Sequence, residues 1–277
     1  MAAHDSGSGE SVAFIGGGNM ACAIVGGLLR GGLAPQGVVV VEPLQAQRDK
    51  LRSDFGVQAI AAADASLAGA GLVVWAVKPQ RFAEAAAPCR AHVGGALHLS
   101  VMAGIRSDAI AAAAGTERVV RAMPNTPALI GLGIAGLYAR PPVSPADRAR
   151  VEQVLAPTGR TLWMRAEADL DAVTALSGSG PAYVFYVVEA MTDAAQRMGL
   201  SADEGRQLAL ATFAGAAELA RLASEPPEVL RQRVTSQGGT THAALESLDA
   251  DGVKAAFVKA IEAAQRRARE LGDEFGA

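Results

Sequence analysis

The chain has 277 residues, a net charge of -3 and 4% aromatic residues, so it lacks the basic, aromatic surface that nucleic-acid binding requires. No apolar run is long and unbroken enough to predict a membrane span. Cys22 and Cys89 form no CxxC pair, and the four histidines have no ligand spacing. We therefore expect a reduced, cytoplasmic protein with no metal, no nucleic-acid partner and no membrane association.

Residues 1–10 are small and polar and are predicted to be a disordered tail. From residue 11 to about residue 165, apolar strands alternate with helical patterns, which predicts an α/β domain with a mainly parallel sheet. In such sheets, ligands bind beyond the carboxyl ends of the strands. Strands are predicted at residues 11–15, 37–41, 57–60, 71–77, 96–101, 118–123 and 161–164, with a turn and a strand within 127–139.

The turn after the first strand has the Gly-x-Gly-x-x-Ala pattern of a dinucleotide-binding (Rossmann-type) fingerprint. Gly16 permits the tight turn, Gly18 lets the backbone approach a pyrophosphate, and Ala21 lets the helix pack against the strand. The helix that follows offers free N–H groups to phosphates. We interpret the turn as a cofactor site; a merely structural tight turn is the alternative.

Charged residues follow other strands at the same edge of the sheet. Glu42 ends the second strand, where an acid accepts hydrogen bonds from the ribose of NAD and repels the 2′-phosphate of NADP. Arg48, one helical turn later, could instead bind that phosphate, and a solvated Glu42 is an equal alternative. The choice between NADH and NADPH therefore stays open. Lys78 either contacts the coenzyme or simply begins a loop.

Residues 166–277 show helical patterns only, which predicts a second, all-α domain with its boundary near residues 164–168. Its first full helix is apolar nearly all round at residues 183–188, as is typical of a helix buried on every side. A domain of this size offers few places to bury such a helix, so we infer a two-fold subunit interface. An ordinary core helix is the alternative.

Ser236-Gln237-Gly238-Gly239-Thr240-Thr241 is a second glycine loop, placed directly before a helix. Adjacent glycines let successive N–H groups converge on an anion, and a small carboxylate fits such a loop; the alternative is an N-capping turn. His242 could act as a base, although an exposed or satisfied histidine is the simpler interpretation. No lysine lies in the first half of the helical domain, which argues against alcohol oxidation and favours reduction of a C=N bond.

Motifs along nearly the whole chain resemble the pyrroline-5-carboxylate reductase family. They are the glycine turn, Ala76-Val77-Lys78-Pro79, Ala103-Gly104, Arg121-Ala122-Met123-Pro124-Asn125-Thr126-Pro127, Leu176-Ser177-Gly178-Ser179-Gly180-Pro181-Ala182-Tyr183 and Gly238-Gly239-Thr240-Thr241. The resemblance implies NADPH- or NADH-dependent reduction of 1-pyrroline-5-carboxylate to L-proline. It also implies a homodimer with interlocked helical domains, often assembled into decamers, and an active site that receives the Gly-Gly-Thr-Thr loop of the partner subunit.

The resemblance also assigns roles to single residues. Thr241 would hydrogen-bond the ring nitrogen and is the expected catalytic residue. The substrate would be bound by Glu167, Ser236, Gly239, Thr240 and Thr241, and the cofactor by Ile15, Gly16, Gly17, Gly18, Asn19, Met20, Ala76, Val77, Lys78 and Ala103. Glu42 is a predicted cofactor residue from its place at the end of the second strand, although Glu42-Pro43 departs from the small or basic residues that are frequent there in the family. Gln237 departs from the proline that is frequent at its position in the family. Another reductase of cyclic imines or ketoacids and a silent dinucleotide sensor are the alternative functions.

Overall fold

The structure, a computed structural model, describes residues 11–275, and the predicted tail lies outside them. The chain divides into two compact units: one runs to Ser179 and resumes at Ala264, and the other is Gly180–Ala263. The predicted domain boundary at residues 165/166 stays a prediction. Among residues 11–275, no helix is long and apolar enough to cross a membrane, and no group of three or more potential metal ligands occurs.

The first unit is built on one eight-stranded sheet, which confirms the α/β prediction. Its order is β3-β2-β1-β4-β5-β6-β7-β8, and β1 to β6 are parallel. The strands are β1 Ser11–Ile15, β2 Val38–Val41, β3 Gln58–Ile60, β4 Ala70–Trp75, β5 Leu97–Ser100, β6 Val119–Met123, β7 Gly133–Ala139 and β8 Gly159–Trp163.

Helices cover both faces of this sheet, which is why the central strands are apolar along their whole length. They are α1 Asn19–Arg30, α2 Gln45–Phe55, α3 Phe82–Val93, α4 Ser107–Ala114, α5 Pro145–Leu155 and α6 Asp169–Val173. The start of α5 is set locally, because Ser144 and Asp147 form a reciprocal capping box around Pro145. Because these strands are parallel, the carboxyl ends of β1, β2, β4 and β5 lie at the same edge of the sheet.

The far edge of the sheet departs from the parallel pattern. β7 runs antiparallel to β6, since the short connection between them leaves no room for a crossover helix. β8 then pairs parallel with β7 through a backbone contact between Gly133 and Gly159. A Cβ built on Gly159 would lie 2.0 Å from Gly133 O, so only glycine fits this crossing.

A short helical segment whose secondary structure was not predicted from the sequence comes directly before the second unit. α6 continues directly into a π-helical turn, Thr174–Gly178, and π turns are frequent at functional sites. The Asn125 side chain is bound to this turn, since its Nδ2 donates to Ser177 O at 3.1 Å. Its Oδ1 accepts from the Ile134 N–H at 3.0 Å. The Asn125 side-chain amide therefore joins two motifs that are far apart in sequence.

The second unit is all helical, as predicted. It contains α7 Gly180–Arg197, α8 Ala202–Leu222, α9 Pro227–Arg233, α10 Thr240–Ala250 and the first part of α11 Val253–Phe275. α8 begins at a capping box formed by Ser201 and Glu204. On α7, Phe185 is 58% exposed and Tyr186 is 74% exposed in the single chain. The unit therefore presents large apolar side chains that a monomer leaves uncovered.

A buried histidine connects β4 and β5 at the centre of the sheet. The Trp75 Nε1–H donates to His98 Nδ1 at 2.9 Å, and His98 Nε2 lies 3.1 Å from Val93 O. Because an indole N–H is only a donor, Nδ1 must accept, and Nε2 carries the ring proton. Burial lowers the pKa of His98 to about 4, so the fold requires the neutral ring.

We expect acid to weaken the fold through His98. The neutral form is favoured, so its stabilisation is complete above the ordinary pKa of 6.5 and is lost as the pH falls toward about 4. The free energy of unfolding should fall by about 3 kcal/mol across that window, measured by urea denaturation. His98→Gln, which keeps an acceptor and a donor, should lose less. His92→Gln should behave as the parent; equal acid sensitivity of the parent and His98→Gln would contradict the assignment.

Candidate active site

A cavity of about 550 Å³ lies at the carboxyl ends of β1, β2 and β4. It brings together most of the predicted cofactor residues. Its lining includes Ile15, Gly16, Gly17, Gly18, Glu42, Ala76, Val77 and Lys78. Asn19 and Met20 begin α1 at its border, and Ala103 lies in the loop after β5. Strands that are distant in sequence thus supply one pocket, as a parallel sheet requires.

In the glycine turn, Gly16 and Gly17 lie close to other segments, whereas the space beside Gly18 is open. Gly16 has a φ of +98°, and a Cβ there would lie 2.6 Å from Ala76 O, so glycine is required. Gly18 is the N-cap of α1, and a Cβ there would meet nothing within 4 Å. No side chain caps α1, and its first turn holds no acid. The open N-terminus therefore fits a dinucleotide pyrophosphate.

The peptide of Gly17 is bound on both sides by the corner between β2 and α2. Its N–H donates to Glu42 Oε2 at 2.9 Å, and its carbonyl accepts from Gln47 Nε2 at 2.5 Å. A Cβ on Gly17 would lie 2.7 Å from Leu51 Cδ1. The contact of Gln47 was not predicted from the sequence, because a glutamine on a polar helix face belongs to no distinctive pattern.

Glu42 and Arg48 are both engaged with the backbone of their own corner. The second Glu42 oxygen accepts from the Leu44 N–H at 2.9 Å, and the side chain is buried. Arg48 is also buried, and its Nη1 donates to Glu42 O at 2.8 Å and to Pro43 O at 2.7 Å. The Arg48 guanidinium is therefore committed to carbonyl groups, while the Glu42 carboxylate lines the cavity.

The structure places Glu167 in a buried charge cluster near the start of α4. One oxygen accepts from the Ser107 N–H at 2.6 Å and from Arg121 Nη1 at 2.8 Å; the other accepts from Ser107 Oγ at 2.6 Å. Burial raises the pKa of Glu167, but the hydrogen bonds from Ser107 and the Arg121 charge outweigh it, so the net pKa lies below its usual range. Beside it, Arg106 forms a bidentate pair with Asp171.

In the second unit, the Gly-Gly-Thr-Thr loop forms a tight turn that leads into α10. The Gly239 N–H donates to Ser236 O at 3.0 Å, and Gly238 has a φ of +74°. Gly239 is the N-cap of α10, and no side chain caps that helix. Thr240 and Thr241 are its first two residues, so their hydroxyls lie at an open helix N-terminus.

Two further residues receive no catalytic support from the geometry. His242 Nδ1 lies 3.4 Å from Glu246 Oε2, one helical turn away on α10. Lys78 is exposed at the mouth of the cavity and begins a short turn, Pro79–Arg81. His242 therefore faces an acid of its own helix, and Lys78 lines the cavity as a predicted coenzyme contact.

Comparisons with known proteins agree along the whole chain. The family model "Pyrroline-5-carboxylate reductase dimerisation" matches residues 167–271, and "NADP oxidoreductase coenzyme F420-dependent" matches residues 11–104. Over 269 residues the chain is 42% identical to pyrroline-5-carboxylate reductase of Pseudomonas aeruginosa, covering 96% of this chain and 98% of that protein. The corresponding protein of Haemophilus influenzae is 38% identical over 273 residues, covering 95% and 98%.

Solved structures give the same result. A pyrroline-5-carboxylate reductase from Coxiella burnetii superposes with a TM-score of 0.88 at 34% identity, covering 95% of this chain and 99% of that one. A Plasmodium falciparum pyrroline carboxylate reductase with NADP bound has a TM-score of 0.84 at 26% identity, covering 95% and 98%.

The open space above Gly18 can be tested by filling it. Gly18→Ala should leave thermal stability unchanged, because its Cβ meets no protein atom. It should weaken dinucleotide binding about tenfold or more, since the methyl group would displace a phosphate. Titration of coenzyme fluorescence measures the dissociation constant. Gly95→Ala is the matched control, because its Cβ also meets nothing within 4 Å. An unchanged dissociation constant for Gly18→Ala would remove the pyrophosphate from this turn.

Proposed function

The chain belongs to the pyrroline-5-carboxylate reductase family, and from that premise we propose which residues carry its reaction. The enzyme reduces the C=N bond of 1-pyrroline-5-carboxylate with NAD(P)H to give L-proline, a step of proline biosynthesis. Its sheet domain binds NADP, and its helical domain is a dimerisation domain. The exposed apolar side chains of α7 support burial by a second subunit.

The proposed roles are carried by two uncapped helix N-termini, each preceded by glycines. At α1, Gly18 leaves room for a phosphate. At α10, Gly239 leaves the first N–H groups open beside two threonine hydroxyls. A helix N-terminus favours an anion, so the first is suited to the dinucleotide pyrophosphate and the second to the substrate carboxylate.

Coenzyme binding is assigned to the lining of the cavity. The turn of Gly16 to Gly18 with Asn19 and Met20 would hold the pyrophosphate, and Glu42 would accept from the adenosine ribose. When bound, the coenzyme supplies the hydride to the C=N carbon. Ala76, Val77, Lys78 and Ala103 would line the remaining wall, which excludes water from the reacting face.

The substrate is assigned to the loop of residues 236–241. Its carboxylate would accept hydrogen bonds from the open N–H groups of this loop, and Thr241 would hydrogen-bond the ring nitrogen. In the protonated iminium, the ring N–H donates to the Thr241 hydroxyl oxygen, which orients the C=N bond for the hydride. The nitrogen then already carries its proton, so the protein need not supply a separate acid. The absence of a lysine among residues 166–253 agrees with this chemistry.

We expect Thr241→Val to separate turnover from coenzyme binding. Loss of a hydrogen bond to a charged nitrogen should lower kcat/KM for 1-pyrroline-5-carboxylate about tenfold to a hundredfold. The coenzyme dissociation constant should not change. Thr212→Val is the control, because the Thr212 hydroxyl bonds only its own helix, at Leu208 O. Parent-like kinetics of Thr241→Val would exclude the residue from the mechanism.

Glu42 leads us to expect that NADH serves at least as well as NADPH. The carboxylate lies at the ribose end of the cavity, and Arg48 is committed to backbone carbonyls. Glu42→Gln keeps an acceptor for the Gly17 N–H but removes the charge, so relative use of NADPH should rise about tenfold. The ratio of kcat/KM for the two coenzymes measures this. Glu84→Gln, at an exposed residue of the same cavity, should leave the ratio unchanged. A strong NADPH preference of the parent enzyme would contradict the role of Glu42.

The assembly beyond the dimer is also a proposal. The family resemblance supports a decamer, and the single chain leaves further apolar side chains of α8 exposed, among them Leu219 and Leu222. Light scattering on the pure enzyme would give the mass directly.

A further inference from the structure

We propose that Glu167 and Asp171 are positioning residues that fix the loop of residues 101–106 against the coenzyme cavity. This inference rests on the proposed function. It gives Glu167 a role through Ser107 instead of the direct substrate contact that the family resemblance implies.

The helix that follows the loop is capped by a residue that is distant in sequence. α4 begins at Ser107, and its N-cap residue Arg106 provides no side-chain cap. Glu167, 60 positions later, supplies that cap by accepting both the N–H and the hydroxyl of Ser107 at 2.6 Å. Arg121 lies on the buried strand β6 and donates to the same carboxylate at 2.8 Å. Removing one partner would leave a buried charge unpaired, so the geometry is strongly enforced.

A second ion pair holds the residue just before α4. Arg106 donates through Nη1 and Nη2 to the two oxygens of Asp171, each at 3.0 Å. The Asp171 side chain is only 7% exposed. A bidentate pair fixes direction as well as distance, so it sets where the loop ends. Glu167 and Asp171 lie four residues apart, one before α6 and one within it.

The last turns of α11 close the other side of the loop. A Cβ on Gly272 would lie 2.3 Å from Arg106 Nη2, so this glycine leaves the space that the guanidinium occupies. Gly104 has a φ of +76°, and a Cβ there would lie 3.3 Å from Leu271 O. The loop is therefore confined between the segment at α6 and the end of α11.

The opposite end of the loop begins beside the wall of the coenzyme cavity. The Val101 N–H donates to Trp75 O at 3.0 Å, so the loop leaves the sheet beside the end of β4, where Ala76 lines the cavity. Ala103, a predicted coenzyme contact, lies within the loop. Hydride transfer is sensitive to small displacements, so loosening this wall should reduce the rate more than the affinity.

Steady-state kinetics of Glu167→Gln and Asp171→Asn distinguish a positioning role of the carboxylates from a direct contact with the substrate. A positioning role predicts that kcat falls about tenfold to a hundredfold, with the KM for 1-pyrroline-5-carboxylate unchanged. The isotope effect on kcat with deuterated NADH should rise, since hydride transfer becomes slower relative to product release. Asp108→Asn is the control, because its carboxylate lies in the same first turn of α4 and is 84% exposed.

Gly272→Ala tests the loop without removing any charge. Its methyl group would push Arg106 away from Asp171, so the same loss of kcat at constant KM is expected. Gly215→Ala, whose Cβ meets nothing within 4 Å, is its control. Circular dichroism identifies any variant that fails to fold, and Gly272→Ala then decides the question in place of the charge variants.

Two outcomes would overturn the proposal. A raised KM for the substrate in Glu167→Gln, with parent-like kinetics of Gly272→Ala, would establish a substrate contact. Parent-like kinetics of every folded variant would leave the loop without a role in positioning. Failure of the proposed function is distinguished by the parent enzyme, which would then oxidise no NADH or NADPH with 1-pyrroline-5-carboxylate.

Discussion

The close approach of three backbone segments at the glycine turn is the constraint on which the cofactor site depends. Gly16 passes against Ala76 O, and the Gly17 peptide is held between Glu42 and Gln47. These contacts fix the turn so that the space beyond Gly18 stays open. An open helix N-terminus binds an anion well only if it is already ordered, because ordering it upon binding would cost conformational entropy.

A buried charge cluster organises the neighbouring part of the sheet, at β6 and the segment after β5. Arg121 is almost fully buried, and burial, only partly offset by Glu167, lowers its pKa from the ordinary range. Such pairs contribute little net stability, yet they are costly to break. Their value here is in geometry, because they join β6, α4 and the segment before α6 at one point.

The helical unit leaves large apolar side chains exposed in the single chain. Phe185, Tyr186, Leu208 and Leu219 are each more than half exposed in the single chain, although α7 and α8 pack against each other. Helices of this length are stabilised mainly by burial of an apolar face. The match to a dimerisation family supplies the reason, since a second subunit provides the missing apolar surface.

The sequence by itself determined the order of elements, the glycine turn and the reaction class. These depend on local chemistry: Gly16 needs a positive φ, Ser144 and Ser201 cap the helices that follow them, and apolar runs mark strands buried on both faces. The family motifs lie in such segments, so they could be recognised without a fold.

Only the tertiary structure decided how distant polar residues share their hydrogen bonds. The family resemblance assigned Glu167 to the substrate pocket, and the fold brings its carboxylate to Ser107 and Arg121. Arg48 looked available for a phosphate, but its guanidinium is committed to the Glu42 and Pro43 carbonyls. The physical reason is that the sequence gives the chemical groups of a side chain, whereas its hydrogen-bond partner depends on long-range packing, which no local sequence pattern predicts.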